Sequence, residues 1–202
     1  MPVGPHALPW PDDPRLDPLL LAEGDARNVV DGYRYWRTEE IAADLASRAS
    51  ALHVAIENLE HDLNIGSIVR TANAFNVGGV HIVGRRRWNR RGAMVTDAYL
   101  EVRHHPDPAA LAAWAQADRR TVIAVDIVAG SVPIEEFELP ERVVLLFGQE
   151  GPGLSEAALA HVDGVVHITQ EGSTRSINVA AAAAIAMFSW RLRHGLASGG
   201  SG

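Results

Sequence analysis

The sequence predicts an α/β fold in which a parallel sheet of about five or six strands is covered by helices on both faces. Two observations indicate this fold. Residues 143–147 (VVLLF) are apolar at every position, and such a run is typical of a strand buried on both faces. Helical patterns separate the predicted strands, as they do in βαβ units. Because ligands of such sheets usually bind beyond the carboxyl ends of the strands, we expect the functional site there.

The predicted elements alternate regularly from residue 52 onward. Strands are predicted at residues 52–56, 79–83, 121–127, 143–147 and 165–169. Helices are predicted at residues 38–49, 65–75, 109–120, 155–161 and 176–194, the third after an Asp-Pro pair that is a strong helix start. We therefore interpret residues 1–50 as an arm with a helix, residues 51–195 as the α/β domain and residues 196–202 as a flexible tail.

The composition is that of a globular protein with enough apolar residues for a core. Of the 202 residues, 47% are hydrophobic and 21% are charged. No cysteine is present, which excludes disulfides and thiolate metal sites. Neither a signal peptide nor an apolar stretch long enough to span a membrane is visible, so we expect a cytoplasmic protein with no membrane partner.

Positive charge is concentrated in one segment although the whole chain is acidic. The formal net charge is −7, yet five of the 18 basic residues fall within residues 85–91 (RRRWNRR), which we call the arginine segment. A solvated loop is one interpretation of this segment. An anion-binding patch is favoured, because no acidic residue lies within the segment to neutralise it.

Arg70 interrupts a predicted helix whose other residues are small or apolar. On a helical wheel it falls nearly opposite the apolar stripe, beside Ser67 and on the side of Gly66 and Asn73. A solvated arginine usually has long charged neighbours, whereas these small neighbours let another chain or a ligand approach closely. A structural or solvated arginine stays possible, but a guanidinium that faces a phosphate or another oxyanion is favoured.

Two further segments combine glycine, polar and small residues at predicted strand-to-helix junctions. Residues 148–154 (GQEGPGL) lack the spacing and the lysine of phosphate-binding loops, and Glu150 would repel phosphate, so a plain tight turn is an equal alternative. Residues 173–184 (STRSINVAAAAA) predict a helix start that either binds a carboxylate through free N–H groups or is simply capped and closely packed. The histidine spacing predicts no metal site, and no G-x-S-x-G element indicates a hydrolase.

Three motifs, taken in order, resemble the signature of the SPOUT superfamily, and more closely the SpoU/TrmH family of RNA 2′-O-ribose methyltransferases. They are NIGSIVRTA (64–72), GQEGPGL (148–154) and SINVAAA (176–182). The corresponding family patterns are N-x-G-x-x-x-R-T-A, G-x-E-x-x-G-L and S-L-N-V-S-x-A. Three motifs in order, each at a predicted junction, are highly specific, and the resemblance covers about residues 52–194.

The resemblance implies a parallel α/β sandwich with a deep trefoil knot near the C-terminus, the SPOUT fold, in a homodimer that completes the active site. It implies S-adenosylmethionine as the cofactor, tRNA or rRNA as the substrate, and no metal. The residues implied to contact the cofactor are Val125, Phe147, Gly148, Gly153, Ile168, Gln170 and Ile177, with Asp126 lining the same pocket. The expected phosphate contacts of the RNA are Arg85, Arg86, Arg87, Arg90 and Arg91, with Trp88 as a stacking group.

The implied reaction is transfer of a methyl group to a ribose 2′-hydroxyl by direct displacement. Arg70 resembles the catalytic arginine of the family, which would grip the adjacent phosphate and ease the loss of the hydroxyl proton. Asn64 would position Arg70 or the ribose. Glu150 and Asn178 would orient the arginine and the knotted loop, and Ser176 would hydrogen-bond nearby.

Two departures from the family pattern keep other functions open. Residues 60–63 (EHDL) stand where many members have Asn-Pro, and Ala180 replaces the usual serine of the third motif. The rivals are a non-catalytic SPOUT-type RNA-binding protein and a small-molecule-binding α/β enzyme. Nothing in the sequence identifies the RNA or the modified nucleotide.

Overall fold

The computed structural model describes residues 2–58, 64–149 and 152–195, which divide into two compact units, Met1–Arg48 and Ala49–Gly202. The smaller unit contains helices α1 (Pro18–Glu23) and α2 (Thr38–Ser47). Its buried charge is Asp25, whose carboxylate accepts hydrogen bonds from the Arg27 side chain and from the Tyr35 N–H. Burial alone would raise the pKa of Asp25, but these hydrogen bonds lower it to about 2.

The larger unit is built on one parallel sheet. Its strands are β1 (His53–Asn58), β2 (Gly79–Gly84), β3 (Val102–His105), β4 (Thr121–Val125), β5 (Val132–Pro133), β6 (Val143–Phe147) and β7 (Gly164–His167). Their order across the sheet is β3-β2-β1-β6-β4-β7-β5, and every pair is parallel. The helices are α3 (Asn64–Ala74), α4 (Pro108–Ala117), α5 (Glu156–Leu159) and α6 (Val179–His194). The predicted parallel α/β fold is confirmed, and the knot stays a prediction.

Alternate residues of the central strands pack into two separate cores, one on each face of the sheet. On β1, Val54 belongs to a core that also contains Ile68 of α3 and Met187 of α6. Its neighbour Ala55 belongs to the other core, which contains Leu111 of α4. Both faces of the strand are therefore covered, which explains why the central strands are mostly apolar on both faces.

The sequence prediction was wrong at both edges of the sheet and at the start of the last helix. β3 and β5 were missed because edge strands need no continuous apolar run: β3 reads VRHH and β5 has only two residues, one of them proline. The last helix begins at Val179 and not at residue 176, because Asn178 is its N-cap. None of the helices in the described part of the chain is long and apolar enough to cross a membrane.

Candidate active site

A cavity of about 450 Å³ lies beyond the carboxyl ends of the central strands. Three adjacent strands, β6, β4 and β7, end at its floor, and the segment ahead of α6 closes one side. This volume is within the range of sites for small ligands. The position is the one expected from the sequence, since the strand ends of a parallel sheet meet at one edge.

Most of the predicted cofactor residues line this cavity. They are Val125, Gly148, Gly153, Ile168, Gln170 and Ile177, together with Asp126. Phe147 is the exception: it is wholly buried in the core shared with α3 and α6 and is not among the lining residues. As the last residue of β6 it has its side chain in the core, and the cofactor contact expected of it stays a prediction.

The glycine loop, which we define as residues 148–155, requires glycine at positions 148 and 153. Gln149 and Gly153 exchange two backbone hydrogen bonds of 3.2 Å, which close the loop on itself. A Cβ atom at Gly148 would lie 2.3 Å from the backbone carbon of Gly153. Gly153 has a φ of +72°, and a Cβ atom there would lie 2.6 Å from Oδ2 of Asp126. At these two positions the cavity is therefore lined by backbone and has no side chain.

Two carboxylates hold the glycine loop in place. Asp126 accepts a hydrogen bond from the Leu154 N–H at 2.9 Å. Glu57, at the end of β1 and only 1% exposed, accepts from both the N–H (2.8 Å) and the hydroxyl (2.6 Å) of Ser155. Sequence reasoning missed Glu57. The available signal was a lone carboxylate inside the apolar run of β1, where a buried acid needs hydrogen-bond donors.

The structure brings together Asn64 and Asn178, which are 114 positions apart in the sequence. The Asn178 amide donates to Oδ1 of Asn64 at 3.0 Å, and Asn178 also lines the cavity. The Oδ1 atom of Asn178 accepts from the Ala180 N–H at 2.9 Å and so caps α6. The first and third motifs therefore meet at the cavity.

Ser176 and Ala180 flank this asparagine. Ser176 is exposed and lines the cavity, ahead of α6 and not within it. Ala180 is partly buried and packs against the core. Because the Asn178 side chain occupies the Ala180 N–H, that N–H is not available to bind a carboxylate as the sequence had suggested.

Arg70 projects into solvent from α3. Among the residues that the structure describes, no acceptor or acid is paired with its guanidinium, and its side chain is exposed. Beside Gly66, the close approach that the small residues allow is made by another part of the same chain. A Cβ atom at Gly66 would lie 2.8 Å from the backbone of Gly92 and of Ala93, so this glycine docks the chain that follows the arginine segment. Since Gly66 and Arg70 are four residues apart on the helix, that chain lies beside Arg70.

The arginine segment follows β2 and is held by neutral groups. The buried Asn58 amide donates to the carbonyl oxygens of Arg85 (2.7 Å) and Arg87 (3.0 Å). The predicted RNA-binding side chains, Arg85, Arg86, Arg87, Arg90 and Arg91, are all exposed. The segment is not free of acids in three dimensions, because Arg90 pairs with Asp97 at 3.4 Å.

Trp88 is less accessible than a stacking group needs to be. It is partly buried and packs against the core that contains α3, and the Arg90 guanidinium lies 5.6 Å from the centre of its ring. Its structural role as an anchor for the arginine segment is therefore favoured over the predicted role in stacking on a base.

Two predictions fall outside the described residues. Glu150 and residues 60–63 are not among them. The orienting role expected of Glu150 therefore stays a prediction.

The cavity fits S-adenosylmethionine in its donor and acceptor pattern. Oε1 of Gln170 is buried and has no hydrogen-bond partner within the described ranges, so it can accept from an amino or hydroxyl group of a ligand. Val125, Ile168 and Ile177 supply apolar walls suited to an adenine ring, and Gly148 and Gly153 of the loop line the cavity without side chains.

Comparisons with known proteins agree with this arrangement. A family model described as the SpoU rRNA Methylase family matches residues 51–188. A protein of Mycobacterium ulcerans (strain Agy99), described as an uncharacterized tRNA/rRNA methyltransferase, is 30% identical over 187 residues, 89% of this chain and 59% of that protein. The tRNA (guanosine(18)-2'-O)-methyltransferase of Escherichia coli (strain K12) is 28% identical over 155 residues, 75% of this chain and 68% of that enzyme.

A solved structure shows the same fold. The SpoU methyltransferase AviRb from Streptomyces viridochromogenes, in complex with AdoMet, matches with a TM-score of 0.64 and 27% identity over 72% of this chain and 59% of that one. The chain thus spans about six tenths of the length of AviRb and of the Mycobacterium ulcerans relative.

Proposed function

The chain belongs to the SpoU rRNA Methylase family, and from this premise we propose that it is an S-adenosylmethionine-dependent methyltransferase acting on a ribose 2′-hydroxyl of tRNA or rRNA. The observation that carries the proposal is the hydrogen bond between Asn64 and Asn178, which joins two of the three motifs at a cavity of cofactor size. The cytoplasm, where such RNA is found, is the proposed location.

The cofactor is proposed to lie against the glycine loop and the segment ahead of α6. When bound, S-adenosylmethionine supplies the methyl group on its positively charged sulfur. Gln170 would accept a hydrogen bond from it, and the backbone of Gly148 and Gly153 would line it without side chains in the way. The chain contributes position and electrostatics, and no covalent bond between protein and RNA is needed.

Arg70 is proposed to act on the RNA. Its guanidinium would bind the phosphate next to the target ribose and stabilise the negative charge that develops on the 2′-oxygen as its proton leaves to water. α3 begins at Asn64 beside the cavity, and Arg70 lies about 9 Å further along the helix axis. The exposed arginines that follow β2 would extend the phosphate contacts, and Glu150 would orient Arg70.

The test is transfer of a labelled methyl group to total RNA. We expect the wild-type protein to label RNA and Arg70→Ala to lose about 100-fold or more of the rate. Arg119→Ala is the matched control, since Arg119 is exposed and lies two residues before β4, at the opposite end of that strand from the cavity. Undiminished transfer by Arg70→Ala would remove Arg70 from the reaction, and no transfer by the wild type would favour the non-catalytic RNA-binding protein.

The proposal includes a homodimer, supported by one face of α6. Ile185, Phe188 and Leu192 are 40%, 51% and 51% exposed and recur at helical spacing, while Met187 and Trp190 on the opposite face are buried. A second copy of the chain would cover this apolar stripe. Sedimentation should give a dimer for the wild type and a monomer for Phe188→Glu, and a monomeric wild type would contradict the dimer.

A further inference from the structure

The cavity wall carries a cation to which no role has been given. Arg175 lies between β7 and α6, immediately before Ser176, and its exposed side chain lines the cavity. Within the described ranges, the guanidinium has neither an ion-pair nor a hydrogen-bond partner. An arginine without a partner at the wall of a ligand cavity is available to an anionic group of the ligand.

The acid in the same cavity is not paired with Arg175. Oδ1 of Asp126 accepts from the Ile127 N–H at 2.7 Å, and Oδ2 accepts from the Leu154 N–H at 2.9 Å. Both carboxylate oxygens are therefore engaged by backbone donors that shape the glycine loop. Of the described side chains that line the cavity, Asp126 is the acid and Arg175 is the arginine. The carboxylate of Asp126 accepts hydrogen bonds from the backbone, whereas the guanidinium of Arg175 has no partner within the described ranges.

The cavity is lined by residues that suit two different chemical groups of a ligand. Val125, Ile168 and Ile177 are apolar and suit a flat heterocycle, whereas Arg175 suits a carboxylate, which it can bind through two parallel N–H donors. S-adenosylmethionine has an adenosine at one end and an amino acid with an α-carboxylate at the other. We propose that Arg175 binds the α-carboxylate of the cofactor, an inference that rests on the proposed function.

The test compares two ligands that differ in this carboxylate. S-adenosylhomocysteine has the amino acid, and 5′-methylthioadenosine keeps the adenosine and the sulfur without it. Calorimetric titration should show that Arg175→Ala weakens the binding of S-adenosylhomocysteine by about 10- to 100-fold, as for a lost hydrogen bond to a charged group. The affinity for 5′-methylthioadenosine should stay unchanged. Arg175→Lys should fall between, because it keeps the charge and loses the planar fork.

The controls separate this inference from the proposed function. Arg119→Ala should bind both ligands like the wild type, and circular dichroism checks that each variant is folded. A wild type that binds neither ligand would overturn the proposed function and the inference with it. Equal weakening of both ligands by Arg175→Ala would overturn the inference alone and indicate a structural role. Unchanged binding of both ligands, with lower affinity for RNA, would overturn it in favour of a phosphate contact.

Discussion

The glycine loop and the arginine segment both follow central strands of the sheet, but they use charge in opposite ways. In the glycine loop, the carboxylates of Glu57 and Asp126 are engaged by backbone N–H groups and give the loop its shape. In the arginine segment, the neutral amide of Asn58 holds the backbone, and the guanidinium groups extend into solvent. The carboxylates thus hold the backbone of a loop, whereas the guanidinium groups are exposed and can bind an anion.

Removal of a carboxylate that holds the glycine loop should have the largest effect on the free energy of unfolding. Glu57→Ala leaves two partly buried donors of Ser155 without an acceptor, and we expect the free energy of unfolding to fall by about 3 kcal/mol. Binding of S-adenosylhomocysteine should weaken as well, because the loop loses its anchor. Urea unfolding and calorimetric titration measure the two effects.

Ser155→Ala is the matched control for this prediction. It removes only the hydroxyl that donates to Glu57 and caps α5, so it should cost about 1 kcal/mol. If Glu57→Ala were as stable as the wild type, the carboxylate would not hold the loop and the contrast between the two regions would fail.

A third region, a row of three buried histidines, differs from both because its ionisable groups are kept neutral. His53, His81 and His105 lie on β1, β2 and β3, and hydrogen bonds of 2.9 and 2.8 Å link their rings. Burial lowers the pKa of His53 to about 3 and that of His81 to about 2, and it also lowers the pKa of His105. These histidines take up protons in the unfolded chain at a pH where the folded protein does not.

The sign of the pH dependence follows from these lowered values. The stabilisation is complete above pH 6.5, the ordinary pKa of histidine, and is lost as the pH falls below it. Between pH 7.5 and 5.5 the free energy of unfolding should fall by roughly 1.4 kcal/mol for each of His53 and His81. Urea unfolding across this range checks it, and His81→Phe should reduce the fall while His161→Gln, at an exposed site, should not. A stability that rises toward pH 5.5 would contradict the burial of neutral rings.

The arginine segment should show the smallest effect on stability and a clear one on RNA binding. Arg91→Ala should leave urea unfolding unchanged and lower the slope of log affinity for RNA against log salt by about 0.7. Arg90→Ala is the matched comparison and should lower the slope less, because Arg90 is already paired with Asp97. Filter binding over a series of salt concentrations measures both. Equal slopes for the wild type and Arg91→Ala would show that this charge is not used for RNA.

The sequence predicted the strands that are largely apolar and missed those that depend on tertiary contacts. Continuous apolar runs marked β1, β2, β4, β6 and β7, whereas the edge strand β3 has polar residues that only its position in the sheet explains. The motifs placed Asn64 and Asn178 in one site, and the structure joins these two residues by a hydrogen bond.

What the sequence could not provide were the partners of particular side chains. The close approach that Gly66 allows is made by Gly92 of the same chain. The pairing of Arg90 with Asp97, and the engagement of Glu57 by Ser155, join residues from separate parts of the chain. Such contacts are decided by how loops pack, and no local pattern carries them.

The position of the transferred methyl group tests the central claim most directly. RNA labelled by the wild-type protein and labelled S-adenosylmethionine would be digested to nucleosides and separated by mass. The account predicts that the label lies in a 2′-O-methylnucleoside and that Arg70→Ala abolishes this product. Label on a base, or labelled RNA that is unaffected by Arg70→Ala, would contradict the account.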